Sequence, residues 1–122
     1  MKPLLPNSLK ELLTRIDSAI GGELFSVVMN DPQSFTIELS VQDKNRGFDW
    51  INIAFEMTGV IDARLVDESK VPLINMDEGV SILFEDGLYG IGVGSYKSIA
   101  ALKGAPLYLL GSSLKYEERP FT

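Results

Sequence analysis

The stretch Phe48–Val66, FDWINIAFEMTGVIDARLV, decides the fold class. From Ile51 onward the odd positions read Ile51, Ile53, Phe55 and Met57, and the even ones read Asn52, Ala54 and Glu56. That is the two-residue period of a strand with one buried face. Each of the four large apolar residues contributes about 1.5–3 kcal/mol when fully buried, so the run predicts a central piece of the core. Phe48 and Trp50 open the other face, which predicts that its beginning is covered too and that the strand is interior rather than an edge. Gly59 punctuates the run, and Val60–Val66 resumes alternation with Ile61, Ala63 and Leu65 against Asp62 and Arg64.

Working upstream, Phe35, Ile37, Leu39 and Val41 alternate with Thr36, Glu38, Ser40 and Gln42. Asp31-Pro32-Gln33-Ser34 separates them from the apolar run Leu24–Asn30, and turn chemistry between two such runs predicts an antiparallel pair. Asp43–Gly47 reads as a polar loop leading into the central strand. Further back, Leu9, Leu12, Leu13, Ile16 and Ile20 form a helical stripe, preceded by Pro6-Asn7-Ser8 and stopped by Gly21-Gly22. Ser8 and Glu11 have capping-box spacing, and Glu11 with Arg15 is placed for an i, i+4 pair. The polar face holds only Lys10 and Arg15 as cations against Glu11 and Asp17, which favours packing on a sheet over lying on a membrane.

Downstream, Asp67–Met76 mixes charge with Pro72 and reads as irregular or a short edge strand. Val80–Glu85 and Leu88–Gly94 flank Asp86-Gly87, a strong hairpin signal. Ser95–Lys103 reads as a turn or two of helix ended by Gly104. Pro106–Glu118 reads as one long strand, with Tyr108, Leu110, Leu114 and Tyr116 on one side and Leu107 and Leu109 on the other. One helix followed by about seven strands, without βαβ alternation, predicts an α+β fold. The N-terminal amphipathic helix packs on a curved, mainly antiparallel sheet, with a sandwich as the alternative.

A chain of 122 residues predicts a single domain, and 45% hydrophobic with 23% charged residues is globular composition. The start, MKPLLPNSLKELL, lacks the continuous apolar core of a secretion signal, and no run of about 18 apolar residues follows, so a cytoplasmic protein is expected. There is no cysteine, hence no disulfide and no thiolate metal site. The net charge of −6 is regional: Phe48–Asp86 holds nine acids against Arg64 and Lys70, a balance of −7, and the remainder carries +1. Such a region repels nucleic-acid backbones and anionic membranes and attracts a basic protein. Its alternative meaning is plain solubility.

Without histidine or cysteine, catalysis would fall to carboxylates, lysine, tyrosine or serine. Asp77-Glu78 and Glu85-Asp86 bracket a strand of about 20 Å, too far apart end to end to share a metal unless other loops converge, and calcium-loop spacing fails at Val80 and Ile82. Gly90-Ile91-Gly92-Val93-Gly94 lacks the third glycine position of a dinucleotide fingerprint. Its glycines predict a sheet face stripped of side chains so that the helix, or an aromatic such as Trp50, can approach closely. Ser112 and Lys115 have the spacing of a serine-lysine acylation motif, but in a strand they point to opposite faces. Trp50 and the four tyrosines are not interleaved with basic residues, so they predict packing rather than a sugar or base platform.

The helix-then-strands layout, the run Phe55–Asp62 (FEMTGVID) and the final Leu107–Glu118 (LYLLGSSLKYEE) resemble small acidic bacterial proteins, some grouped as immunity proteins of toxin systems. The resemblance implies a stoichiometric binder that covers the active site of a basic toxin, commonly a nuclease. The expected function is therefore non-enzymatic binding of a basic protein through an acidic surface formed by Asp62, Asp67, Glu68, Asp77, Glu78, Glu85 and Asp86. No catalytic, cofactor or metal residue is assigned, and the oligomeric state is left open. The alternatives are an assembly subunit using sheet edges or the apolar faces of the last strand and, third, a small carboxylate-dependent enzyme.

Overall fold

The computed structural model describes residues 1–121. The chain is α+β, with nine strands in two antiparallel sheets among the described residues. In order they are β1 (Lys2–Pro3), α1 (Leu9–Arg15), β2 (Glu23–Asp31), β3 (Ser34–Asp43), β4 (Asp49–Thr58), β5 (Asp62–Arg64), β6 (Val80–Glu85), β7 (Leu88–Val93), the single turn α2 (Ile99–Leu102), β8 (Tyr108–Gly111) and β9 (Ser113–Arg119). Sheet I has the order β1-β9-β4-β3-β2 and sheet II the order β5-β8-β7-β6. Both sheets contribute to one main apolar core. No helix among the described residues is long and apolar enough to cross a membrane.

The predicted central strand is β4, which pairs with β3 on one side and β9 on the other. Ile51, Ile53, Phe55 and Met57 are all buried in the main core, as the alternation predicts. The opposite face departs from expectation: Phe48 and Trp50 are 58% and 40% exposed, and the Trp50 ring stands 5.9 Å from that of Phe121, centroid to centroid.

At Gly59 the strand leaves sheet I and re-forms in sheet II as β5. The partner ribbon makes the same crossing between β9 and β8, with Thr58 opposite Ser113 and Asp62 opposite Leu110. Three residues, Gly59 to Ile61, therefore face two, Gly111 and Ser112, which is a bulge at the corner. Gly59 has φ +64, and a Cβ there would collide with Ser112 Oγ, so this position needs glycine.

The bulge reverses the faces of the last strand. The predicted continuous strand Pro106–Glu118 is broken at Ser112. Leu107, Leu109 and Leu114 lie in the main core, while Tyr108 and Leu110 face outward into a second cluster with Leu102 and Ala105. On the other arm, Ala63 shares a register row with buried Leu109, yet Ile61 and Leu65 are 68% and 45% exposed. β5 is the three-residue edge of sheet II.

The hairpin at Asp86-Gly87 forms as predicted, with φ of 51° and 79° at the two turn residues. Gly90 and Gly92 do clear a face for a helix, but it is α2. A Cβ at either position would stand 2.6 Å from a Leu102 methyl carbon. Asp67–Met76 is irregular, with a 3-10 helix at Glu68–Leu73 that packs along β2, and it contains no strand.

α1 is shorter than its stripe suggests. Leu9, Leu12 and Ile16 are buried, but Ile20 is 52% exposed because Asp17, Ser18 and Ala19 all take positive φ and turn the chain out of the helix. The Ser8 side chain makes no capping bond, and Arg15 does not pair with Glu11. It is drawn instead toward the end of β3.

Candidate functional site

The seven predicted partner-binding acids are spread around sheet II and its connections. Asp62 lies on β5, where its carboxylate accepts from Tyr108 Oη at 3.1 Å and stands 3.9 Å from Lys103 Nζ. Asp67 and Glu68 begin the 3-10 segment beside β2. Asp77 and Glu78 lie in the turn before β6, with the Asp77 N–H donating to Asn75 Oδ1 at 2.7 Å. Glu85 closes β6 and accepts the Ile99 N–H at 2.6 Å, steadying the start of α2, and Asp86 occupies the hairpin turn. The two acid pairs sit at opposite ends of β6, about 20 Å apart. Asp62 is on the other edge of the sheet. Among the described residues no three carboxylates are grouped to hold a metal ion. Likewise, no lysine or arginine comes within 4 Å of Asp67, Glu68, Asp77, Glu78 or Asp86 among those residues.

The charges that do converge lie outside that region, on both faces of sheet I. Asp43 continues the inward stripe Phe35, Ile37, Leu39, Val41 at the end of β3 and is fully buried. Its carboxylate accepts from Arg15 Nε at 2.8 Å and Arg15 Nη2 at 2.5 Å, and from the Asn45 N–H at 2.9 Å. Arg46 Nε adds a contact at 3.3 Å, and Glu118 on β9 pairs with both Arg15 and Arg46. The bidentate Arg15 contact, ahead of the opposing cost of burial, holds the Asp43 carboxyl below its usual range. The network ties α1, the end of β3, the following loop and β9 together.

The outward face carries a second chain of polar contacts. Arg119 Nη1 donates to Glu38 Oε1 at 2.6 Å, Asn52 Nδ2 donates to Glu38 Oε2 at 2.9 Å, and Ser40 Oγ donates to Asn52 Oδ1 at 2.9 Å. Arg119 Nε also holds Glu117 Oε2 at 2.8 Å, and this contact leads the lowering of the Glu117 carboxyl. Glu38, Ser40 and Asn52 are all buried, although their alternation pointed to the polar side of β3 and β4. No buried side-chain polar atom among the described residues lacks a partner. Both networks are satisfied internally and are supports of the fold.

Two grooves flank α1 and share Lys10, Thr14, Arg15 and Lys44 on their rims. The larger, of about 810 Å³, has apolar walls that include Leu13, Ile20, Phe48 and Ile82. Phe48 has φ +68, fixed by its N–H to the Asp43 carbonyl at 2.9 Å and by Gln42 Nε2 to its own carbonyl at 3.2 Å. A bulky residue in this region costs about 1–3 kcal/mol. Sequence reasoning missed the groove, because neither the left-handed turn at Asp17–Ala19 nor the strain at Phe48 has a glycine to announce it. Asp43 did carry a signal, since it extends the odd-numbered stripe of β3 by one step. Compared with protein families, curated proteins and solved structures, the chain has no match.

Proposed function

We propose that this chain is a non-enzymatic binding protein whose acidic side, around sheet II, meets a basic protein. The immunity-type reading is its most concrete form, with the partner a basic, nuclease-like toxin. The observation that carries the proposal is a division of charge. Arg15, Arg46 and Arg119 are engaged by carboxylates within the fold, and Arg64 donates to the Ala105 carbonyl at 3.1 Å and stacks over Tyr108. Asp67, Glu68, Asp77, Glu78 and Asp86 have no such neighbour among the described residues. On this reading the unpaired acids steer encounter and select a partner, with apolar anchors supplying most of the affinity. Asp62 and Glu85 are already held by Tyr108 and the Ile99 N–H, so they act at the margins of that surface.

The test is capture of partners by the immobilised protein at low and high salt. Basic proteins retained at low salt, and lost when Asp67, Glu68, Asp77 and Glu78 are neutralised together, are the expected result. Capture of no basic protein under either condition contradicts the proposal. A second reading, an assembly subunit, is favoured by the edge strand β2, where Phe25, Val28 and Met29 are each at least half exposed. Light scattering that gives a monomer at every concentration removes it.

A further inference from the structure

We infer that the larger groove beside α1 is a binding site for a small amphiphilic carboxylate, with the apolar body on the groove wall and the anionic head at Lys10 and Lys44. The inference is independent of the acidic surface and of any protein partner. Three features of the chain meet at this groove.

The first is charge. In a protein of net charge −6, both lysines on the rim are exposed, and neither forms an ion pair among the described residues. Arg15, on the same lining, already has two carboxylate partners, so Lys10 and Lys44 are the cations left to receive an anion, and they outnumber the one carboxylate of the lining, Asp17. The second is the wall. Ile20 and Phe48 are each more than half exposed, and Leu13 and Ile82 continue the apolar surface beneath them. A volume of about 810 Å³ lies within the roughly 300–1,000 Å³ typical of small-ligand sites. The third is strain. The described residues include five non-glycine positions with positive φ, and three of them, Asp17, Ser18 and Phe48, line this groove. Strained backbone gathers where a shape is held for a ligand. Here it holds an aromatic ring out in water, where it gains nothing from the core.

Together these select a ligand with one negative end and an apolar body. A cationic amphiphile would meet the two lysines, and a fully polar anion would leave Ile20 and Phe48 uncovered. The pairing of charged head with lysine is the part that confers sign specificity.

The experiment is calorimetric titration with dodecanoate below its micelle concentration, with amide NMR shifts locating the site. One-to-one saturable binding is expected, with shifts centred on Leu13, Ile20 and Phe48. The double variant Lys10→Glu/Lys44→Glu should bind roughly tenfold or more weakly. The same charge change at Lys70 and Lys97, also exposed and unpaired, should leave affinity unchanged. Phe48→Ala should weaken binding without lowering the melting temperature. All these side chains are exposed, so circular dichroism should report wild-type folds. Lack of saturation, unchanged affinity in the rim-lysine variant, equal binding of dodecyltrimethylammonium, or shifts centred elsewhere would each overturn the assignment.

Discussion

At the α1 end of sheet I, Asp43 lies fully buried between Arg15 and Arg46, whereas around sheet II Asp67, Glu68, Asp77, Glu78 and Asp86 carry the same charge with no cation within 4 Å among the described residues. The two regions set one chemical group in different surroundings. A carboxylate removed from water is tolerated only with partners, and once partnered it ties elements together. A carboxylate left in water contributes little to stability and remains available to another molecule. Net charge alone therefore misleads, because carboxylates paired with arginine and carboxylates left without a cation count alike in it.

The sharpest way to break this contrast is Asp43→Asn, which removes the buried charge that Arg15 and Arg46 share and leaves Glu118 as their one carboxylate partner. We expect it to cost about 1.5–3 kcal/mol in urea unfolding. A loss below about 1 kcal/mol would place Asp43 with the solvated acids. The pH dependence follows from the same contact. Because the folded-state pKa of Asp43 is lowered by Arg15, its stabilisation is present above the unfolded-state value of about 3.9 and is lost as pH falls through the folded-state value. Wild-type stability should therefore drop in the acid range below about pH 4, and Asp43→Asn should flatten that drop.

A smaller effect is expected at Gly92, where the added methyl of alanine meets Leu102 of α2. Loss of about 1–3 kcal/mol in thermal or chemical unfolding would confirm that α2 is seated on the glycine face. The smallest effect belongs to the solvated side: Asp77→Asn with Glu78→Gln should change stability by no more than about 0.5 kcal/mol. A larger loss would mean that these acids also support the fold, and the contrast would fail.

Much of the architecture was legible in the residues. The core run Ile51–Met57, the Asp86-Gly87 hairpin and the pairing of β2 with β3 follow from local periodicity and turn chemistry, and the fold keeps them. What was not legible depends on contacts distant in sequence. The corner bulge sets three residues against two only when β4–β5 and β8–β9 lie side by side, so the face reversal at Ser112 leaves no mark in either strand alone. For the same reason Glu38 reads as solvent-facing until Arg119, 81 residues later, arrives beside it. The acids of the proposed surface were visible as a regional excess, but their dispersal around sheet II was not, because charge counted along the chain has no direction.

The proposed function requires that the charge that binds and the charge that holds the fold be separate in this molecule. It is tested most directly by neutralising Asp67, Glu68, Asp77 and Glu78 together and measuring unfolding and low-salt capture of basic proteins on the same preparation. The account predicts a melting temperature matching the wild type with capture abolished. Undiminished capture, or a marked loss of stability in that variant, would contradict it.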